Sequence, residues 1–556
     1  MPSPLLFLAP LGALAPVQTG PWTVTAIVLE GDPVAGVGNV TLVSQTEVSD
    51  TGAWLVEVDT DHADTNADGL LLLDGALYLR EGQPLAAPAG ASLDSFDSFF
   101  LNAQGDASFN FFLDGTLGTN DDSGIYFGAN PGLVYQEGQP ITAPGPANGA
   151  LWQGFFETRV NDLDQVLTLG TLDVPLVGTT VDRILLLTTL SGGAVVNEQV
   201  IALEGDVLPG QTEVVEDFKT ASHQIELGDT GLVAFVADLA GDAALDHALY
   251  FGGALIAQEG SPSPIPGRNW SSLSSTNLDI SSSGHIVYTG SLDGDTNSNT
   301  VIVRDAQKFR QEGDPVPVVS LAAFQLTGFG TGPVFVDESG GVLWFGDWND
   351  VDTTVDTGLF YNDTLLIQEG ITVVGGVIVD EIRGISDGYM LSDGGAWATV
   401  RLSLVGGIEC AVLLRREPVV GSVAGCVPNP GTLSVASGTP ALGQPVTFAL
   451  DTTAHSLGFG LLFGASGPIP LAGPCGLDIG FGEILIDVLN PPNPIFLGSG
   501  VFSTGSPATV AGVVPLDESF FGLTLWLQGA FVDGVDPVLV PPSLTNALTV
   551  EFGSQP

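Results

Sequence analysis

Basic residues are scarce in this chain of 556 residues: 12 Lys and Arg stand against 64 Asp and Glu, giving a formal net charge of -52. Lysine occurs only as Lys219 and Lys308. That shortage excludes nucleic acid and anionic membrane as partners, because both are bound by Lys and Arg neutralising phosphates. An acidic surface attracts cations instead, and its self-repulsion favours a saline or calcium-containing surrounding. Histidine is also sparse, with five residues, His62, His223, His247, His285 and His455, isolated from one another and outside any H-E-x-x-H motif. The three cysteines, Cys410, Cys426 and Cys475, have no zinc spacing and allow three pairings. Cys426 with Cys475 is the pairing selected, since both fall in one carboxyl-terminal segment. After the amino terminus no apolar run is long enough to span a bilayer, so no membrane insertion is expected.

Glycine and proline are abundant, 74 and 37 residues spread along the chain, and short runs of Val, Leu, Ile, Thr and aromatics alternate with small or polar residues. This is the period-2 pattern of half-buried strands, and the whole chain reads as β. A tag of Glu-Gly recurs seven times, at Glu30, Glu81, Glu137, Glu204, Glu259, Glu312 and Glu369, at intervals of 51, 56, 67, 55, 53 and 57 residues. Between tags comes a second box, a turn followed by an alternating strand, starting at Ser49, Asn102, Asn161, Gly228, Ser281, Asp337 and Ser392. Its fourth place is usually Gly, which supplies the positive φ of a tight turn.

Each period accommodates four antiparallel strands, and seven such periods predict a seven-bladed β-propeller over residues 21–420. Only one strand, Trp22 to Leu29, precedes the first tag, and the last box has no intact tag after it. The amino-terminal strand is therefore expected to complete the last blade and close the ring. From residues 426–556 the repeat gives way to strands separated by Pro and Gly turns, read as a β-sandwich accessory domain. Residues 1–20 carry an apolar run ending in Ala13-Leu14-Ala15, the small-x-small pattern of a signal-peptidase site, without a basic n-region. Export to the medium or cell surface is the expected location, and a monomer the expected state.

The tag Glu-Gly-Asp-Pro at Glu30 and Glu312, with the box Gly228-Asp229-Thr230-Gly231-Leu232-Val233-Ala234-Phe235, resembles secreted bacterial tandem-repeat proteins whose signature is of N-x-x-G-x-x-A-F type. The resemblance covers roughly residues 25–417. Only the fourth copy keeps the Ala-Phe ending, and there Gly228 replaces Asn. It implies an extracellular propeller-like array with no assigned catalytic activity.

Seven tag carboxylates could ring the axis, but a residue that every blade keeps reads more simply as one that every blade needs, as an acceptor of backbone N–H groups. Function belongs where the blades differ. The loop Asp64, Asn66, Asp68 matches the start of a calcium loop, and Asp293, Asp295, Asn297 offers oxygen ligands at alternate positions, so both are candidate Ca²⁺ ligand sets. The bidentate Glu at the twelfth place is absent, that position being Gly75. No catalytic or cofactor-binding residues are assigned. The rival enzyme reading is a propeller glycoside hydrolase of sialidase type. It is opposed by a Ser-x-Asp-x-Gly box out of register by one residue, and by Arg80, Arg159, Arg268, Arg304 and Arg383 lying in different parts of the repeat. The expected role is a non-enzymatic binding scaffold for a glycan or an extracellular protein.

Overall fold

A computed structural model describes residues 17–553, apart from 20, 174–180, 221–222, 385–386, 471–474, 491, 493, 517–519, 521 and 536–540. The chain divides into two compact units, Met1–Leu414 and Arg415–Pro556. Among the described residues the secondary structure is β throughout, apart from short turns of 3-10 type such as Val319–Leu321. Among the described residues no helix is long and apolar enough to cross a membrane. The leader read as a signal peptide lies outside the described residues up to Pro16, and Val17–Thr19 forms a short strand paired with Trp22–Val24.

The first unit is a seven-bladed propeller arrangement. Blade 4 illustrates the plan: an interrupted inner strand, Val215–Phe218 and Ile225–Leu227, pairs with Val233–Leu239, then His247–Phe251, then Ala254–Gln258. The turn between the first and second strands is the box. Its fourth residue takes a left-handed φ in every blade, at Gly52, Gly105, Gly231, Gly284, Gly340 and Gly395, and in blade 3 at Asp164 (φ 53°). Aspartate is one of the few residues other than glycine that tolerates this region. In the last sheet Trp22–Leu29 lies beside Ile408–Arg416, which pairs in turn with Trp397–Leu404.

The tag glutamates hold backbone amides. Glu81 accepts from Gly69 (3.0 Å), Glu137 from Asp122 (3.2 Å), Glu204 from Asp182 and Arg183 (2.6 and 3.0 Å), and Glu312 from Asn299 and Thr300 (3.0 and 2.9 Å). Glu259 accepts from Leu273 (2.6 Å), and Glu369 accepts the Thr357 hydroxyl. Glu30 repeats the pattern across 379 residues of chain, accepting the Glu409 amide at 3.2 Å. All but Glu369 thus satisfy backbone donors that the end of a strand would leave orphaned.

The core lies between neighbouring sheets. Leu55 and Leu71 of blade 1 pack against Phe99, Phe109 and Phe111 of blade 2, and Leu343 and Leu359 of blade 6 against Val400 and Leu402 of blade 7. Burying such faces supplies roughly 25 cal/mol per Å² of apolar surface removed from water. The second unit strings its strands into one hydrogen-bonded path from Ile495–Ser503 through Leu457–Ala465, Thr524–Asp533, Ser543–Glu551 and Gly431–Gly438 to Pro445–Thr452 and Ala508–Val513. Leu450, Leu462, Phe531 and Val550 form its core. Cys426 and Cys475 are joined by a disulfide, and Cys410 is a buried free thiol.

Candidate functional site

Counting back two residues from each box gives one inner-strand position per blade: Glu47, Phe100, Arg159, Glu226, Asp279, Phe335 and Met390. Four of the seven are ionisable, at a position where a purely structural repeat would keep one residue type. Side chains from blades 1, 3, 4 and 7 influence one another here, which only the centre of the ring allows.

Arg159 anchors the cluster. Its Nε and one Nη donate to the two oxygens of Glu226 at 2.9 and 3.0 Å, and its other Nη lies 2.7 Å from Glu157 and donates to the Thr158 carbonyl at 3.0 Å. The Phe100 ring faces the guanidinium at 3.6 Å. His223 adds a second cation: its Nδ1 is 3.3 Å from Glu226 Oε1, its Nε2 is 3.7 Å from Asp387, and its backbone amide donates to Glu157 at 3.2 Å. Both His223 and Asp387 have left-handed φ, 61° and 62°, and both stand five residues before a box. Such strain in residues other than glycine persists only where the surroundings enforce it.

The cluster is closed to water, with Glu47 2%, Glu157 3%, Arg159 4%, His223 2% and Glu226 7% exposed. Burial pushes Glu47 up to about 8 against the opposing pull of His223 and Arg159. Burial likewise raises Glu157 to about 7, partly offset by Arg159. For His223 burial works against the charged ring, but Asp387 and Glu226 outweigh it and raise the imidazole to about 10. Burial also opposes ionisation of Glu226, yet Arg159 and His223 hold its carboxyl below the usual range. Glu47 Oε2 and Glu157 Oε2 are buried without a hydrogen-bond partner. The cluster therefore holds an ionised core, Arg159 with Glu226 and His223, beside two carboxyl groups that burial drives toward the neutral acid.

The residues proposed for calcium lie elsewhere. Asp64, between strands Trp54–Thr60 and Gly69–Leu73, accepts the Asn66 amide at 3.2 Å, while the Asp68 carbonyl accepts the Thr60 amide at 3.0 Å. Asp295 accepts both the amide and the side-chain nitrogen of Asn297, at 3.0 and 3.1 Å, and Asp293 accepts the Asn269 amide at 2.9 Å. The Asp64 and Asp295 carboxylates serve their own turns, whereas Asp293 ties its loop to the one that carries Asn269. Among the described residues Asp238, Asp246 and His247 also bring ligand atoms within 4.8 Å of one another, but Lys219 already donates to Asp238 at 3.0 Å. The remaining arginines singled out from the sequence do not converge: Arg80 donates to the Ala67 carbonyl, Arg268 approaches Asp293, Arg304 donates to the Gly340 carbonyl, and Arg383 pairs with Glu381 and Glu409.

Fold and centre together define a β-propeller whose axis carries a sequestered charge network. A sequence profile described as a family of unknown function (DUF7453) matches residues 17–220 and again 188–375, and the chain belongs to this family. No curated relative matches the chain. Among solved structures it is similar to the α-L-arabinofuranosidase Arb93A from Fusarium graminearum, at 8% identity over 70% of this chain and 97% of that one, with a TM-score of 0.28. It is also similar to the N11 neuraminidase-like protein of A/flat-faced bat/Peru/033/2010 (H18N11), at 10% identity over 73% and 96%, with a TM-score of 0.24. Likenesses at these scores carry no inference about chemistry.

Proposed function

We propose that the protein is an exported, non-enzymatic binding scaffold, a propeller closed by its amino-terminal strand and followed by an accessory unit of β-sandwich type. The state of Arg159 is the observation that supports this reading. A hydrolase that clamps a substrate carboxylate needs a guanidinium free to meet it. Here Glu226 occupies that place in bidentate fashion, Glu157 and the Thr158 carbonyl take the remaining face, and Phe100 covers the plane. The network is an internal tie between blades, which leaves recognition to the exposed loops that differ from blade to blade. Its partners would be glycans or extracellular proteins, with Ca²⁺ at Asp64, Asn66 and Asp68 and at Asp293, Asp295 and Asn297 stabilising two of those loops.

The test pairs a glycan and extracellular-protein array with turnover assays on chromogenic sialosides and arabinosides. Specific retention without turnover is the expected result. Turnover that Glu157→Gln abolishes would overturn the reading. Calorimetric titration of Ca²⁺ into chelator-treated protein, with Asp64→Ala and Asp68→Ala as controls, checks the metal; absence of heat would remove calcium from the proposal.

A further inference from the structure

One blade departs from the pattern that the tag glutamates follow. In blades 1 to 6 the amide of the tag Glu donates to the carbonyl of the residue that opens the third strand, which makes Gly69, Ser123, Arg183, His247, Thr300 and Thr357 one equivalent position. Only blade 4 carries an imidazole there. The residue before this position is Asp in five of the six blades, Asp246 in blade 4, so the blade adds a nitrogen ligand to an acid that the repeat already supplies.

Glu259 is turned to meet that nitrogen. Other tags give their carboxylate to the amides at this position, as Glu81 does to Gly69 and Glu312 to Asn299 and Thr300. Glu259 instead accepts the Leu273 amide on Oε1 at 2.6 Å and brings Oε2 to 3.1 Å from His247 Nδ1. Asp246 Oδ1 lies 2.7 Å from the same nitrogen, and the two carboxyl groups are in contact with each other. One nitrogen and two oxygens thus meet.

Hydrogen bonding does not account for this geometry. His247 is 9% exposed, and neither its Nδ1 nor Asp246 Oδ1 has a hydrogen-bond partner in the protein, although the two atoms are 2.7 Å apart. A ring nitrogen directs its proton or lone pair along one line in the plane of the ring, and neither oxygen lies on that line. Coordination produces such an offset, because the ion takes the in-plane direction and the other ligands stand beside it. Bonds of about 2.0–2.2 Å at near right angles place neighbouring ligand atoms about 3 Å apart. An ion held this closely fills the space between its ligands and needs no cavity of water size. Asp246, its side chain 18% exposed beside the exposed loop 241–245, gives the way in from solvent.

We propose that Asp246, His247 and Glu259 bind a Zn²⁺ ion. An imidazole with carboxylates suits Zn²⁺, whereas Ca²⁺ calls for a shell of oxygens alone. Two carboxylates balance the charge of the dication. Asp238 stays outside the ligand set, since its Oδ2 is 3.8 Å from His247 Nε2 and accepts from Lys219 at 3.0 Å. The site goes beyond the scaffold reading and does not depend on it, because it draws on no residue of the axial network or of the calcium loops.

The test is a competition titration of Zn²⁺ against a chromogenic chelator on the metal-free full chain, with Ca²⁺ in excess to occupy surface carboxylates. One tightly held Zn²⁺ per chain is expected. His247→Thr, which gives blade 4 the residue that blades 5 and 6 carry, should weaken it by at least about 100-fold, the upper end of the loss from a supporting partner alone. The metal-free variant should melt with the native chain. X-ray absorption at the zinc edge of the native protein, a readout that needs no variant, should show one imidazole among oxygen ligands. Zn²⁺ that excess Ca²⁺ displaces, a shell of oxygens alone, or an affinity that His247→Thr leaves unchanged overturns the inference.

Discussion

Replacing Arg159 by methionine removes a buried guanidinium while keeping most of the side-chain volume. Glu226 then loses both hydrogen bonds from Arg159 and keeps only His223 Nδ1 at 3.3 Å, and Glu157 loses the cation 2.7 Å away. Breaking a buried pair from one side costs about 3–5 kcal/mol, because the partner charge stays buried. For a unit ending at Leu414, an unfolding entropy near 2 cal/mol/K per residue gives roughly 0.8 kcal/mol per kelvin, so the melting temperature should fall by roughly 4–6 °C.

The pH dependence supplies the sharper check on Arg159→Met. Glu226 is held below its ordinary value in the folded protein, so its contribution to stability is present above the unfolded value and is lost as pH falls through the folded one. The gap between the native protein and the variant should therefore shrink as the pH is lowered toward acid, where the orphaned carboxylates take up protons. Adding Glu226→Gln should recover part of the loss. Calorimetry of the propeller transition at neutral and acid pH reads all three effects. An unchanged melting temperature, or a loss equal at both pH values, would refute the idea that Arg159 neutralises buried carboxylates.

Further outcomes follow from other residues. Glu47 is raised from 4.5 to about 8, so the folded state holds its proton more tightly and stability falls as pH rises through that window; Glu47→Gln should remove a slope of at most about 1.4 kcal/mol per pH unit in denaturant titrations. Glu30→Ala frees the Glu409 amide, so hydrogen exchange should quicken in Trp22–Leu29 and Ile408–Arg416 while the inner strands of blades 2 to 5 keep their protection. Reducing the disulfide, which closes a separation of 49 residues, should destabilise the second unit by about 4 kcal/mol in the loop-entropy account, seen as an earlier transition for that unit alone.

The blades were legible in the sequence because each carries its own punctuation. A tag glutamate reaches amides close in sequence, as Glu81 reaches Gly69, and a box turn needs its left-handed residue whatever lies beyond the blade. Even the exception is readable, since Asp164 replaces Gly with one of the few side chains that tolerate that φ. Local chemistry of this kind repeats at fixed intervals, and intervals are what a sequence displays.

The axial network is the opposite case. Glu47, Arg159, His223 and Asp387 belong to four different blades, so along the chain His223 looks isolated and Arg159 looks like one of several scattered arginines. The propeller arrangement brings them together, and no pairwise spacing encodes that. The available signal was the offset of two residues before each box, where a structural repeat should be uniform and this one runs Glu, Phe, Arg, Glu, Asp, Phe, Met. That position is where a propeller can vary its blades without disturbing the sheets. The tag resists change because it serves every blade separately, whereas the axial position is shared by all seven. Its residues must therefore be compatible as a set, with one arginine among three acids and His223 from a neighbouring position packed beside them. A substitution at one axial position should consequently be felt by partners in other blades, and double-mutant cycles between Glu47 and Arg159 should show coupling of about 0.5–3 kcal/mol despite their separation along the chain. Additive effects would mean that the two groups do not share a network after all.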